Sequence, residues 1–175
     1  KSKIYFIKLS EIEKVKDLLP KFEEPVGVKV HFGEEGNTTF LPANLIKPIV
    51  EMVDNPTLVE CSVLYKSPRR YAFSHRELAL KHGFDFAPID FLDGDEGDES
   101  IRIKIKGKHF GKCYLGHGLE KYKSLLVISH FKGHISAGFG GALKNLGMGL
   151  ASRRGKLALH ASIKHQVTEE KCTSC

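Results

Sequence analysis

The chain has 175 residues, of which 41% are hydrophobic and 27% charged, and its formal net charge is +6. That length supports one domain with its own core, and the composition excludes disordered, fibrous and disulfide-stapled classes. No apolar run approaches the ~20 residues needed to cross a bilayer, so no membrane partner is expected.

The opening Lys1-Ser2-Lys3-Ile4-Tyr5-Phe6 has no signal-peptide layout, so the expected location is cytoplasmic. Residues 3–9 alternate β-formers with polar residues and predict a strand. Ser10, with Glu13 at capping-box spacing, predicts a helix to about Leu19, ended by Pro20. Strands follow over 26–32 and 57–64, separated by a helix over 42–53 that Pro48 interrupts. A helix over 71–82 ends at Gly83. A short strand over 88–92 leads into the acidic run 93–99, which reads as a solvated turn. Ile101, Ile103 and Ile105 alternate with cations and predict a half-exposed strand, with 108–115 as its hairpin partner. One helical turn over 119–123 and a buried strand over 124–129 come next. Residues 133–141 read as a glycine-rich loop and 142–151 as a helix weakened by Gly147 and Gly149. Beyond Arg153 no element is assigned.

Strands alternating with helices predict an α/β fold, a mostly parallel Rossmann-like sheet with helices on both faces and a small antiparallel addition. In such a sheet ligands bind at the carboxyl ends of the strands, where the strand order reverses. Three loops follow strands directly and carry anion- or metal-binding groups: 31–38 with His31, 65–70 with Lys66 and Arg69, and 130–134 with His130, Lys132 and His134. Their convergence on one cleft is the main geometric expectation. His130 and His134 share a face whether the segment is extended or helical, so both suit one divalent metal or one substrate. Lys144 adds charge at the start of the following helix. Lys66, Arg69, Lys132 and Lys144 are therefore the expected contacts for a small anionic ligand. His31, His130 and His134 are the expected metal ligands or acid–base groups.

His75 reads as a structural histidine on its helix, and Cys61 and Cys113 as reduced, small apolar residues. Cys172 and Cys175 form Cys-Thr-Ser-Cys, which fits a redox dithiol, half a zinc site or the opening of a bacterial ferredoxin run. The glycine run 138–141 is neither a dinucleotide fingerprint nor a P-loop. The scattered basic residues form no aromatic-interleaved patch, so nucleic acid is not an expected partner.

The stretch 130–156 reads His-Phe-Lys-Gly-His-Ile-Ser-Ala-Gly-Phe-Gly-Gly-Ala-Leu-Lys-Asn-Leu-Gly-Met-Gly-Leu-Ala-Ser-Arg-Arg-Gly-Lys. It resembles the signature of the uncharacterised iron–sulfur-centre proteins grouped as domain of unknown function 362. Segments 28–38, 64–70, 74–84 and 159–161 are similar to that family as well, and Asp93-Gly94-Asp95 departs from an Asp-Gly-Leu-like stretch. The resemblance implies that Cys172 and Cys175 open a ferredoxin-like module holding a [4Fe–4S] cluster. On this view residues 1–170 form a single α/β domain. Residues 171–175 then start a cluster-binding module that is otherwise missing from the sequence. The expected function is redox-linked, with a small anionic ligand or a metal in the cleft and a redox partner protein. The alternative is a non-enzymatic metal or cluster carrier.

Overall fold

The computed structural model describes residues 3–160. A 3-10 helix, Leu9–Leu18, precedes β1 (Val26–Lys29), α1 (Ala43–Val50) and β2 (Pro56–Glu60). A 3-10 turn, Pro68–Arg70, opens α2 (Ala72–Lys81), and β3 (Ile89–Phe91) follows. The hairpin β4 (Ser100–Lys104) and β5 (Lys112–Gly116) leads through a 3-10 turn, His117–Lys121, to β6 (Ser124–Val127). A second hairpin, β7 (Lys132–His134) and β8 (Gly138–Gly140), precedes α3 (Ala142–Gly147) and α4 (Arg153–His160).

The central sheet has the order β3-β2-β1-β6, and all its pairings are parallel. Val26 lies opposite Pro56 on one side and Ser124 on the other, which aligns the carboxyl ends of the strands. The chain moves outward from β1 to β2 to β3, then returns to the far side of β1 at β6. The order therefore reverses between β1 and β6, which makes that edge the topological switch point.

Alternating side chains divide two cores across the sheet. Val28 and Leu58 pack with Ile46 and Val50 of α1 and with Ala72 and Ala79 of α2. Val59 and Cys61 pack on the other face with Leu150, Leu115, Leu119 and Leu146. These residues come from β5, a 3-10 turn and the α3 region, so both faces are covered. The fold is α/β, a mostly parallel sheet with small antiparallel hairpins, as the alternation of elements predicts.

Several local expectations are corrected. Residues 3–8 form no strand, and Ile4 and Phe6 are 96% and 93% exposed, because no neighbouring strand is there to pair with them. The helix that follows is 3-10, with no side-chain cap at its start. The 124–129 strand is only half-buried, because β6 is an edge of the sheet. The glycine-rich loop contains the β7–β8 hairpin. The acidic run is not simply solvated: Asp93 is fully buried, and Arg153 donates backbone and side-chain hydrogen bonds to Gly97 and Glu96.

Phe84 anchors the α-helical face, edge-on to Phe32 at 5.1 Å and fully buried. Phe84→Ala is expected to lower the unfolding free energy by about 3–5 kcal/mol, read from urea denaturation.

Candidate functional site

Four segments meet at the carboxyl rim of the sheet through a continuous chain of hydrogen bonds. Lys29, the last residue of β1, is fully buried. Its ammonium donates to Glu60 Oε1 at 2.7 Å, to Asn145 Oδ1 at 2.6 Å and to the Val30 carbonyl. All three of its hydrogens are used. Asn145, on α3, donates in turn to the Ile128 carbonyl at 3.1 Å and to Ser129 Oγ at 3.0 Å. One amide thus ties the end of β6 to the end of β1. Gly149 permits this approach, since a Cβ there would stand 2.7 Å from Lys29 Cε and 2.0 Å from the Asn145 carbonyl oxygen.

Glu60 ends β2 and is 1% exposed. Its second oxygen accepts from Arg69 Nη2 at 3.1 Å. Burial alone would raise its pKa, but Lys29 and then Arg69 outweigh it and hold the carboxyl far below the usual range. Arg69 sits in the 3-10 turn that Ser67 caps through its hydroxyl. It is 4% exposed and spends its whole fork locally. Beyond Glu60 it donates to Glu34 through Nη1 and to His75 Nε2 at 3.2 Å, and it lies 3.2 Å from His31 Nε2. Glu34 also accepts from the Tyr65 hydroxyl, and from Ser67 Oγ at 3.2 Å. The loops after β1 and β2 are latched together by that one carboxylate. Burial, then the bond to Glu34, pushes the Tyr65 phenol up to about 12, so it remains a donor.

The two histidines beside Arg69 are held neutral. Burial and then the guanidinium lower His75 to about 3. Its Nε2 accepts from Arg69, so its hydrogen sits on Nδ1, which has no hydrogen-bond partner and faces an aromatic surround of Phe32 and Phe91. His31 is lowered to about 4 by the protein packed around it and then by Arg69, although one side of the residue is open to solvent. The Gly33 N–H donates to His31 Nδ1 at 2.9 Å while Arg69 Nη1 approaches Nε2. A neutral imidazole has one lone pair to give, so one of these contacts sets donor against donor.

Among the predicted ligands, the structure joins His31 and Arg69 directly. His130 Nδ1 donates to the Thr39 carbonyl at 3.0 Å, linking the third loop to the first. Lys132, His134 and Lys144 form the other flank. His134 Nδ1 accepts from the Ser136 and Ala137 N–H groups, and its pKa is lowered by desolvation, then by Lys144 and Lys132. Lys66 is exposed on the second loop. Cys172 and Cys175 lie outside the described residues. No group of three or more His, Cys, Asp or Glu placed to hold a metal occurs among the described residues. A shallow cavity of about 360 Å³ lies apart from these groups, lined by residues including Asn44, Lys47, His82 and Phe86.

Lys29, Glu34, Glu60, His75 and Asn145 were not predicted as site residues. Lys29 and Glu60 each interrupt an apolar run, with Val28 and Val30 around one and Val59 and Cys61 around the other, and a charge inside such a run was the available signal. Cys61 is buried as expected, with desolvation first and then Asp93 raising its thiol well above the usual range. Beside it lies a second buried set: Asp93 accepts from the Ser62 N–H at 2.9 Å, Ser62 Oγ has no hydrogen-bond partner, and Lys156 donates to the Ala151 carbonyl.

A family model described as a domain of unknown function, DUF362, matches residues 26–173, and the chain belongs to that family. No curated protein and no solved structure matches it. No helix among the described residues is long and apolar enough to cross a membrane.

The neutral histidines fix the sign of the acid response. Unfolded, His75 takes up a proton near its ordinary 6.5, but folded only near 3. The unfolded state therefore binds more protons below pH 6.5, and stability falls with pH from there toward the folded value. For fully buried His75 the slope approaches about 1.4 kcal/mol per pH unit, and His31 acts in the same direction. Urea denaturation across this range should show the decline. His75→Phe should make it shallower, while lowering stability at neutral pH because Arg69 Nε loses its acceptor.

Proposed function

For this DUF362 member we propose that the α/β domain binds a small anionic ligand at the switch-point rim, and that the complete protein couples this to iron–sulfur redox chemistry. The observation that carries the first half is the sign of the field. His31 has one ring nitrogen on a backbone N–H and the other against a guanidinium. The His134 Nδ1 lone pair is taken by two backbone N–H groups, with Lys132 and Lys144 beside it. At His31 the ring nitrogens face donors while Glu34 and Glu60 offset the charges of Arg69 and Lys29, so the uncompensated positive field lies at His134, and it favours an anion over a divalent cation there. His130 differs: its Nδ1 hydrogen is committed to Thr39, which makes Nε2 the ring atom that would exchange a proton or meet a metal. The roles are therefore Arg69, Lys66, Lys132 and Lys144 as anion contacts, with His130 as the acid–base group.

The redox half rests on Cys172 and Cys175, whose spacing matches the start of a ferredoxin run. A [4Fe–4S] cluster needs four thiolates, so these two would act together with two further cysteines. The competing reading, a metal or cluster carrier without turnover, draws only on His130 and the same cysteines.

Two measurements test the proposal. Calorimetric titration at low salt with inorganic phosphate and with acetate should show binding of at least one anion, weakened about 2- to 10-fold by Lys132→Ala with Lys144→Ala. Zinc binding that depends on His31 and His134, with no anion binding, would overturn it. Anaerobic iron and sulfide loading of the natural full-length protein should give a cluster spectrum that Cys172→Ser and Cys175→Ser abolish, and an unchanged spectrum would remove the redox half.

A further inference from the structure

We infer that Glu34 occupies a seat built for a ligand carboxylate, and that a monocarboxylate displaces it when it binds. This deepens the anion-binding reading and rests on it. The seat is a set of converging donors. Arg69 Nη1 and the Tyr65 hydroxyl both donate to Glu34 Oε1, and Ser67 Oγ donates to Oε2 at 3.2 Å. A carboxylate offers about four lone-pair positions, so this set leaves one to spare. The fourth donor stands nearby. With Gly33 donating to His31 Nδ1, the ring hydrogen lies on Nε2, 3.2 Å from Arg69 Nη1. Glu34 does not relieve that opposition of donors. A ligand oxygen reaching both nitrogens would.

Charge fixes the ligand class. Lys29 and Arg69 carry two positive charges, and Glu60 and Glu34 balance them. Trading Glu34 for a monocarboxylate preserves this balance, whereas a phosphate dianion would leave an excess negative charge in a poorly solvated place. The two carboxylates also differ in how firmly they are held. The Glu60 side chain is 2% exposed and ends a central strand, while that of Glu34 is 28% exposed on an irregular loop. Gly33 and Gly36 flank the Glu34 segment at φ 89° and 71°. Glu34 can leave toward solvent; Glu60 cannot.

An internal competitor lowers apparent affinity by the fraction of molecules in which it is displaced. If the open form is populated at about 1–10%, removing Glu34 should tighten binding about 10- to 100-fold. The test is calorimetric titration of the full chain with acetate, and with inorganic phosphate for comparison, in wild type, Glu34→Ala and Glu34→Gln. Acetate should bind Glu34→Ala at least about 10-fold more tightly than wild type and in preference to phosphate. It should also raise the melting temperature of Glu34→Ala more than that of wild type. Glu34→Gln, which keeps acceptor oxygen but loses charge, should fall between them and stands in if the alanine variant does not fold. Wild type that binds acetate, with either variant binding no tighter, overturns the displacement while leaving the anion site intact. Preference for phosphate overturns the monocarboxylate class. Failure of every form to bind any small anion removes both readings.

Discussion

Glu60 accepts from Lys29 through one carboxylate oxygen and from Arg69 through the other, and the rim of the sheet is organised around that shared acceptor. Withdrawing a carboxylate from water costs several kcal/mol, as does each cation brought beside it. The three are tolerable together because each charged nitrogen of the two cations has an acceptor. Lys29 is completed by Asn145 and the Val30 carbonyl, and Arg69 by Glu34 and His75. Breaking such a set by removing one partner is costly, about 3–5 kcal/mol, since a buried charge is then left alone. One carboxylate cannot neutralise two cations, so Glu60 creates a demand for a second anion at Arg69. Glu34 supplies it from a loop.

The fold explains why this demand appears at the edge and not elsewhere. Parallel pairing with Val26 opposite both Pro56 and Ser124 brings the ends of β1, β2 and β6 level. Lys29 and Glu60 are the last strand residues, and the buried Val30, Phe32 and Cys61 that follow them carry the two cores up to the rim. The reversal of strand order between β1 and β6 prevents any crossover connection from covering that point. α3 closes only part of it, through Asn145, and Gly149 is needed for even that approach. Charges buried at this edge give the rim a fixed electrostatic character, and the exposed loops beyond them, with Glu34 and Lys66, carry it toward solvent.

Most of the architecture was legible because periodicity reports burial directly. The predicted strands over 26–32, 57–64, 88–92 and 124–129 correspond to the four sheet strands, which end one to four residues earlier, and the 71–82 helix came within one residue at each end. Periodicity fails where a segment has no partner. Ile4 to Phe6 alternate like a strand, but pairing is a tertiary property, and these side chains stay in solvent. The same limit hid half of the site. Arg69 and His31 were legible because they sit in loops after strands, but their companions were read by residue type alone. Lys29 and Glu60 look like ordinary exposed charges until strand register places one beside the other. His75 was read as a structural histidine, which its burial supports, yet its Nε2 also orients Arg69. Asn145 was passed over for its neighbour Lys144, because an uncharged amide carries no signal until its partners are known.

Accounting for lone pairs separates the chemistries open to the rim better than counting histidines does. A metal needs unshared pairs directed at one point, and the structure has committed most of them. His31 and His134 each give Nδ1 to backbone N–H groups, and His75 gives Nε2 to Arg69. The partners of Glu34, by contrast, are all donors: Arg69 Nη1 and the Tyr65 and Ser67 hydroxyls bond its carboxylate, and the His31 ring stands beside Arg69 Nη1. Donors that converge on one carboxylate make a seat whose chemistry matches an anion better than a metal. His130 stands apart from those donors, its Nδ1 hydrogen held by the Thr39 carbonyl. The Thr39 carbonyl thereby joins the loop after β6 to the segment after β1, across the point where the strand order reverses.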